Sequence, residues 1–276
     1  MRLASVIHQG ARRAARVSAD GESAVLLDAA DVGDVLSSAD WAAAAAAGGT
    51  EVPTAELTYD VLVRPSKVVC VGLNYRGHVE ETGRELPAYP TLFGKFADTL
   101  CAPYADIELP AASPKVDWEA ELTIVIGREA HGVDRSEALD HVAGYTVAND
   151  VSMRDWQNRT LQWLQGKNFE GTTPVGPVLV TPDEIDHAAD LRISCRLNDE
   201  VVQDSRTSDL IFPPAELVAY VSTFTTLRPG DLILTGTPAG VGHARTPQRF
   251  IGVDDVVTVA VEGIGECRNR FTKVPS

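Results

Sequence analysis

One run of ten residues constrains this chain more than its composition does: Asp117-Trp118-Glu119-Ala120-Glu121 leading directly into Leu122-Thr123-Ile124-Val125-Ile126. Read as a strand, it alternates with a period of two. Ala120, Leu122, Ile124 and Ile126 share one face and make core. Glu119, Glu121 and Thr123 share the other. Two carboxylates therefore sit side by side on a strand otherwise built for burial, where repulsion and desolvation are expensive unless positive charge lies between them. A hard divalent cation meets that need, because Mg²⁺, Mn²⁺ and Ca²⁺ prefer carboxylate oxygens. The plain alternative is a solvent-facing pair on an edge strand, and the Glu-x-Glu alone leaves it open.

The 276 residues suit one large domain, or a small domain beside a larger one. An apolar share of 44% supplies a core, and 24 basic against 39 acidic residues give a net charge of −15. That balance argues against nucleic acid and anionic membranes as partners. Cys70, Cys101, Cys195 and Cys267 are far apart, without zinc-ligand spacing, and most sit in strand-like surroundings. They read as free thiols in a reducing compartment. His8, Gln9 and two arginines interrupt any apolar leader, and no window has the length of a membrane span, so a cytoplasmic location is expected.

The first 65 residues read as a small αβ module. Leu3 to Ile7 and Ala24 to Leu27 look like strands, and Trp41 with the alanines to Ala47 looks like a surface helix stopped by Gly48-Gly49. From residue 66 to 276 the texture changes to strands alternating with turn-rich loops. Strands are expected at Lys67 to Gly72, Trp118 to Ile126, Gly144 to Ala148, Leu232 to Thr235 and Val256 to Val261. A hairpin is expected around Asn198-Asp199. Ser152 to Gln165 reads as a helix capped by Ser152 and stopped by Gly166, and Pro214 to Thr226 as another. No regular βαβ rhythm appears, so a doubly wound sheet is not expected.

Four further segments carry chemistry. His78 and Glu81 would share one helical face at i, i+3, where a carboxylate fixes the imidazole tautomer and leaves a base. Asn149-Asp150 places a third carboxylate at a strand end, ahead of Arg154 and Gln157. Lys167, in a loop crowded with Gly and Pro, could neutralise charge developing on an enolisable substrate. Thr235-Gly236-Thr237-Pro238-Ala239-Gly240-Val241-Gly242 fits neither a P-loop nor a dinucleotide turn; it offers the Thr237 hydroxyl and free backbone N–H groups to an anion. The first three have ordinary structural alternatives: a surface ion pair, a helix-terminal Asp and a solvated lysine.

Taken in order, these segments closely resemble the fumarylacetoacetate hydrolase superfamily. They are Gly-Leu-Asn-Tyr with His-x-x-Glu, Phe93-Gly94-Lys95, Asp-Trp-Glu-x-Glu-Leu, Asn-Asp with Met153-Arg154-Asp155-Trp156-Gln157, Gln162-Trp163, Gly-Lys-x-Phe with Pro-x-Gly-Pro, and Thr-Gly-Thr-Pro-x-Gly-Val-Gly. The resemblance spans roughly residues 66 to 270 and implies an α+β fold, predominantly β, with a mixed β-roll. It also implies a homodimer and a Mg²⁺ or Mn²⁺ ion held by Glu119, Glu121 and Asp150. His78 and Glu81 become a catalytic dyad on a lid, with Lys167 beside the keto-acid end of the substrate. Thr237 then grips the substrate carboxylate, and Gln157, Arg154 and Lys95 line the site. Glu170 departs from the Asp common after Lys-x-Phe, which puts the setting of Lys167 in question.

The function expected is metal-dependent hydrolysis of the C3–C4 bond of acylpyruvates such as fumarylpyruvate or acetylpyruvate. His78–Glu81 would activate water, while the cation and Lys167 stabilise the pyruvate enolate. The alternatives are oxaloacetate decarboxylation, or isomerisation and decarboxylation of 2-hydroxyhepta-2,4-diene-1,7-dioate in aromatic catabolism. A non-catalytic metal-binding protein is the most distant reading.

Overall fold

A computed structural model describes residues 1–273. Its frame is a twelve-stranded mixed sheet facing a five-stranded one. The acid strand, Ala120–Ile126, lies inside the large sheet between Val142–Asn149 and Leu232–Leu234, and every residue of it is buried. The period of two holds. Ala120, Leu122, Ile124 and Ile126 join a core that includes Ile193, Cys195, Val257, Val259 and Phe271 of the small sheet. Val125 points the other way, into a second core with Val32, Val35 and Leu36 of the helix Val32–Ser37. The mostly β, α+β architecture expected from the resemblance is the one found.

Both parts of the chain share the large sheet. Arg2–His8 pairs antiparallel with Thr173–Val180, with Leu3 opposite Leu179, and with Ala11–Val17 on its other side. The strand Ala11–Val17 escaped the sequence reading because Arg12, Arg13 and Arg16 break its apolar pattern. Arg12 Nη2 donates to the carbonyl of Val61, and Arg16 Nη1 to those of Ala45 and Ala47. The alanine helix runs over Trp41–Ala46, with the Asp40 carboxylate accepting from the Ala43 N–H as its cap.

The helix expected over Ser152 to Gln165 is not continuous. Ser152–Met153 pairs with Val116–Asp117 as a short strand, and the Ser152 hydroxyl donates to the Asp150 carbonyl instead of capping. Two single turns follow, Arg154–Gln157 and Leu164–Lys167. Thr160 forms a local turn with Gln162 between them. Gly166 is no stop signal: a Cβ there would lie 2.4 Å from the Gln157 nitrogen, so the glycine allows the two turns to pack. The later helix also ends sooner than expected, spanning Pro214–Ser222. No helix among the described residues is long and apolar enough to cross a membrane, and all four cysteines are free, as expected.

Candidate active site

The acid strand runs antiparallel to Val142–Asn149, with Ala120 opposite Asn149. The Asn149 side chain accepts the Glu119 N–H at 2.9 Å, and the Asp150 N–H donates to the Glu119 carbonyl at 2.9 Å. These bonds hold the chain at the strand end and bring the third carboxylate alongside the first two. Glu119, Glu121 and Asp150 are all buried and present one oxygen each within 4.8 Å of one another.

Protein cations answer two of the three. Lys167 Nζ lies 2.7 Å from Glu119 Oε2 and 2.8 Å from Asp150 Oδ2. Lys95 Nζ lies 2.6 Å from Asp150 Oδ1, and Arg154 Nη1 lies 2.7 Å from Glu119 Oε1. Burial pushes the Glu119 and Asp150 carboxyls up, but the adjacent cations outweigh it and hold both below the usual carboxylate range. Burial likewise lowers Lys167, and Asp150 with Glu119 outweighs it, so its ammonium is held on. Glu121 is different. Among the described residues its carboxylate accepts one hydrogen bond, from the Gly236 N–H at 2.8 Å, and no cation reaches it. Burial, Asp150 and Glu119 push it well above the usual range. A buried all-oxygen donor set with one uncompensated carboxylate fits a hard divalent cation.

His78 and Glu81 share one face of the short helix Arg76–Glu81, with His78 Nδ1 3.2 Å from Glu81 Oε2. Glu81 has a second tie, its Oε1 accepting the Gly240 N–H at 3.0 Å. The N–H groups of three glycines of the Gly-rich turn are spent on the protein's own carboxylates, which narrows the set of free donors expected for a ligand. Gly236 serves Glu121, Gly240 serves Glu81, and Gly242 and His243 serve Asp117 at 2.7 and 3.0 Å. Thr237 keeps its hydroxyl. Gln203 Nε2 donates to Thr237 Oγ1 at 2.8 Å, and no described residue accepts the threonine's own proton.

His78, Glu81, Glu119, Lys167, Thr237 and His243 are among the residues lining a cavity of about 350 Å³, while the buried Glu121 and Asp150 do not line it. Arg154 and Gln157 also line it, with Arg154 Nη1 2.9 Å from Gln157 Oε1. Lys95 is not part of that lining: its ammonium is fully buried against Asp150, at 2.6 Å. Glu170 is exposed and leaves Lys167 in place between its two carboxylates.

Three contributors escaped the sequence reading. Asp117 is fully buried and accepts from Arg154 Nε at 2.7 Å as well as from the turn, so it orients both. Its place at the head of the acid motif was the available signal. His243 sits in the cavity wall, its imidazole held below its usual range by burial and by Arg154. Gln203 comes from the far hairpin, and nothing in its local pattern marks it.

The family model for the C-terminal domain of fumarylacetoacetate (FAA) hydrolase matches residues 67–272. The mitochondrial oxaloacetate tautomerase Fahd2a of Rattus norvegicus is 45% identical over 221 residues, 79% of this chain and 71% of the relative. Among solved structures, 5-carboxymethyl-2-hydroxymuconate delta-isomerase from Mycobacterium smegmatis superposes with a TM-score of 0.84 at 34% identity, covering 100% of both chains. Fumarylpyruvate hydrolase from Pseudomonas aeruginosa, in complex with Mn²⁺ and pyruvate, gives a TM-score of 0.70 at 33% identity over 79% of this chain and 92% of that one.

Proposed function

Because the chain belongs to the fumarylacetoacetate hydrolase family and is an enzyme, we propose that it interconverts the enol and keto forms of oxaloacetate. The observation that carries this reading is the relative named oxaloacetate tautomerase, 45% identical over 221 residues. The fumarylpyruvate hydrolase stands at 33%. Keto–enol exchange fits the site's own groups. It needs a proton carrier near C3 of the substrate and fixed positive charge near the C2 oxygen, and no attacking water.

Glu119, Glu121 and Asp150 would hold Mg²⁺ or Mn²⁺, which supplies positive charge to a 2-oxo oxygen and its neighbouring carboxylate. The Thr237 hydroxyl, its proton unclaimed, donates to that carboxylate. Glu81 accepts from Nδ1 of His78, which leaves Nε2 as the base. His78 takes a proton from C3 of the keto form and delivers it to the C2 oxygen, and the reverse reaction runs through the same groups. Lys167 and Arg154 face the charge that builds on oxygen in between. No water is consumed and no carbon–carbon bond breaks.

Hydrolysis of acylpyruvates is the second reading, supported by the fumarylpyruvate hydrolase structure. It would set the same imidazole to activate water. We also propose the homodimer that the resemblance implies, which light scattering of the purified chain tests.

The deciding experiment follows decay of enol-oxaloacetate absorbance alongside pyruvate release from acetylpyruvate and fumarylpyruvate, with Mg²⁺ or Mn²⁺ and then with EDTA. Metal-dependent ketonisation with little pyruvate release is the expected result, and His78→Ala should lower the rate by about 10²–10⁴-fold. Rapid pyruvate release without accelerated ketonisation would replace this reading with the hydrolase.

A further inference from the structure

Gln203 is two per cent exposed and lies on Glu200–Arg206, a strand of the small sheet. The pairing of that strand with Arg192–Leu197 shifts register between Cys195 and Arg196: Cys195 faces Gln203 and Arg196 faces Val201. Val202 is the extra residue of a bulge. Bulges re-aim side chains, and here the consecutive residues Val202 and Gln203 are both buried instead of alternating. The Gly-rich turn rests on this bulge. A Cβ on Gly240 would lie 2.0 Å from the Val202 carbonyl oxygen and 3.3 Å from Gln203 Cγ, and Gly240 holds a φ of +104°.

The Gln203 amide has one possible orientation. Its oxygen accepts from the backbone N–H of Ala120 at 3.0 Å, a group that can only donate. Its nitrogen donates to the backbone carbonyl of Pro238 at 2.8 Å, a group that can only accept. The remaining N–H of that nitrogen meets Thr237 Oγ1 at 2.8 Å, so the threonine oxygen accepts. A hydroxyl that accepts from Gln203 turns its own proton elsewhere, and Thr237 lines the cavity. Gln203 thus ties the acid strand, through Ala120, to the turn, through Pro238 and Thr237.

We infer that Gln203 is a positioning residue that makes Thr237 a hydrogen-bond donor aimed at an anionic end of the substrate. This rests on the reading that Thr237 holds a substrate carboxylate. A serine or threonine hydroxyl can serve as donor or acceptor, and a carboxylate needs the donor. Gln203 occupies one of the two lone pairs and turns the proton away from itself, which biases the hydroxyl toward donating before the ligand arrives.

The test is a double-mutant cycle read by calorimetric binding of oxalate in the presence of Mg²⁺, with melting curves confirming that each variant folds. Gln203→Met keeps the length of the side chain and removes the amide. It should weaken oxalate about tenfold when Thr237 is present and less than twofold in Thr237→Val. Equal weakening in both backgrounds, or none in either, overturns the inference. If Gln203→Met does not fold, Gln203→Glu carries the same cycle. Its volume is preserved and an oxygen replaces the nitrogen facing Thr237, so its loss of affinity should shrink at least threefold in Thr237→Val, and an undiminished loss overturns the inference. Thr237→Val with undiminished oxalate affinity would sink the carboxylate grip itself. A loss there with an additive Gln203 effect sinks only the positioning role.

Discussion

At Lys167 a single ammonium answers two carboxylates, Glu119 at 2.7 Å and Asp150 at 2.8 Å. Lys167→Met should lower the rate of enol-oxaloacetate ketonisation by about 10²–10³-fold, the effect of removing one preplaced group that meets developing charge. It should also destabilise the fold by about 3–5 kcal/mol, because two buried carboxylates lose their shared partner. Initial rates and denaturant titration check the two effects separately. Residues at this scale were legible in sequence where partners are close in the chain. His78 and Glu81 are three residues apart, and a single helical turn aligns them. Lys95 with Asp150, Asp117 with Arg154 and Gln203 with Thr237 are 55, 37 and 34 residues apart. Folding alone brings those together, so the sequence sets Lys95 among the residues lining the site without showing that its partner is Asp150.

Among the elements, the acid strand carries the most. Both of its faces are buried, so its even-numbered residues have no room to relax. Leu122→Ala should cost about 2–5 kcal/mol, read as a lower denaturation midpoint. The strand was legible because a period of two survives burial on both sides. The expected helix from Ser152 was not, because its residues answer to distant partners. Arg154 turns inward to Asp117 and Glu119, and Met153 pairs with Val116. Helix propensity summed over that window competes with a buried ion network and loses. The strand Ala11–Val17 shows the opposite masking, since arginines that donate to backbone carbonyls hide a partly buried strand behind a polar sequence.

Over the whole molecule, the change of texture near residue 65 is a change of sequence within one sheet. Leu3, Ala14 and Leu27 share a core with Val125 and Leu179. A cation at the three carboxylates would act on this entire assembly. Adding Mg²⁺ or Mn²⁺ at about one hundred times its Kd should raise stability by about 2.7 kcal/mol. Calorimetric melting should show the rise, EDTA should reverse it, and Glu121→Gln should diminish it. The link from Glu81 to Gly240 spans 159 residues and joins the dyad helix to the Gly-rich turn. The carboxylate that aims the imidazole is thus itself aimed by the turn that also carries Thr237, so the set of the base and the set of the threonine hydroxyl depend on one stretch of backbone.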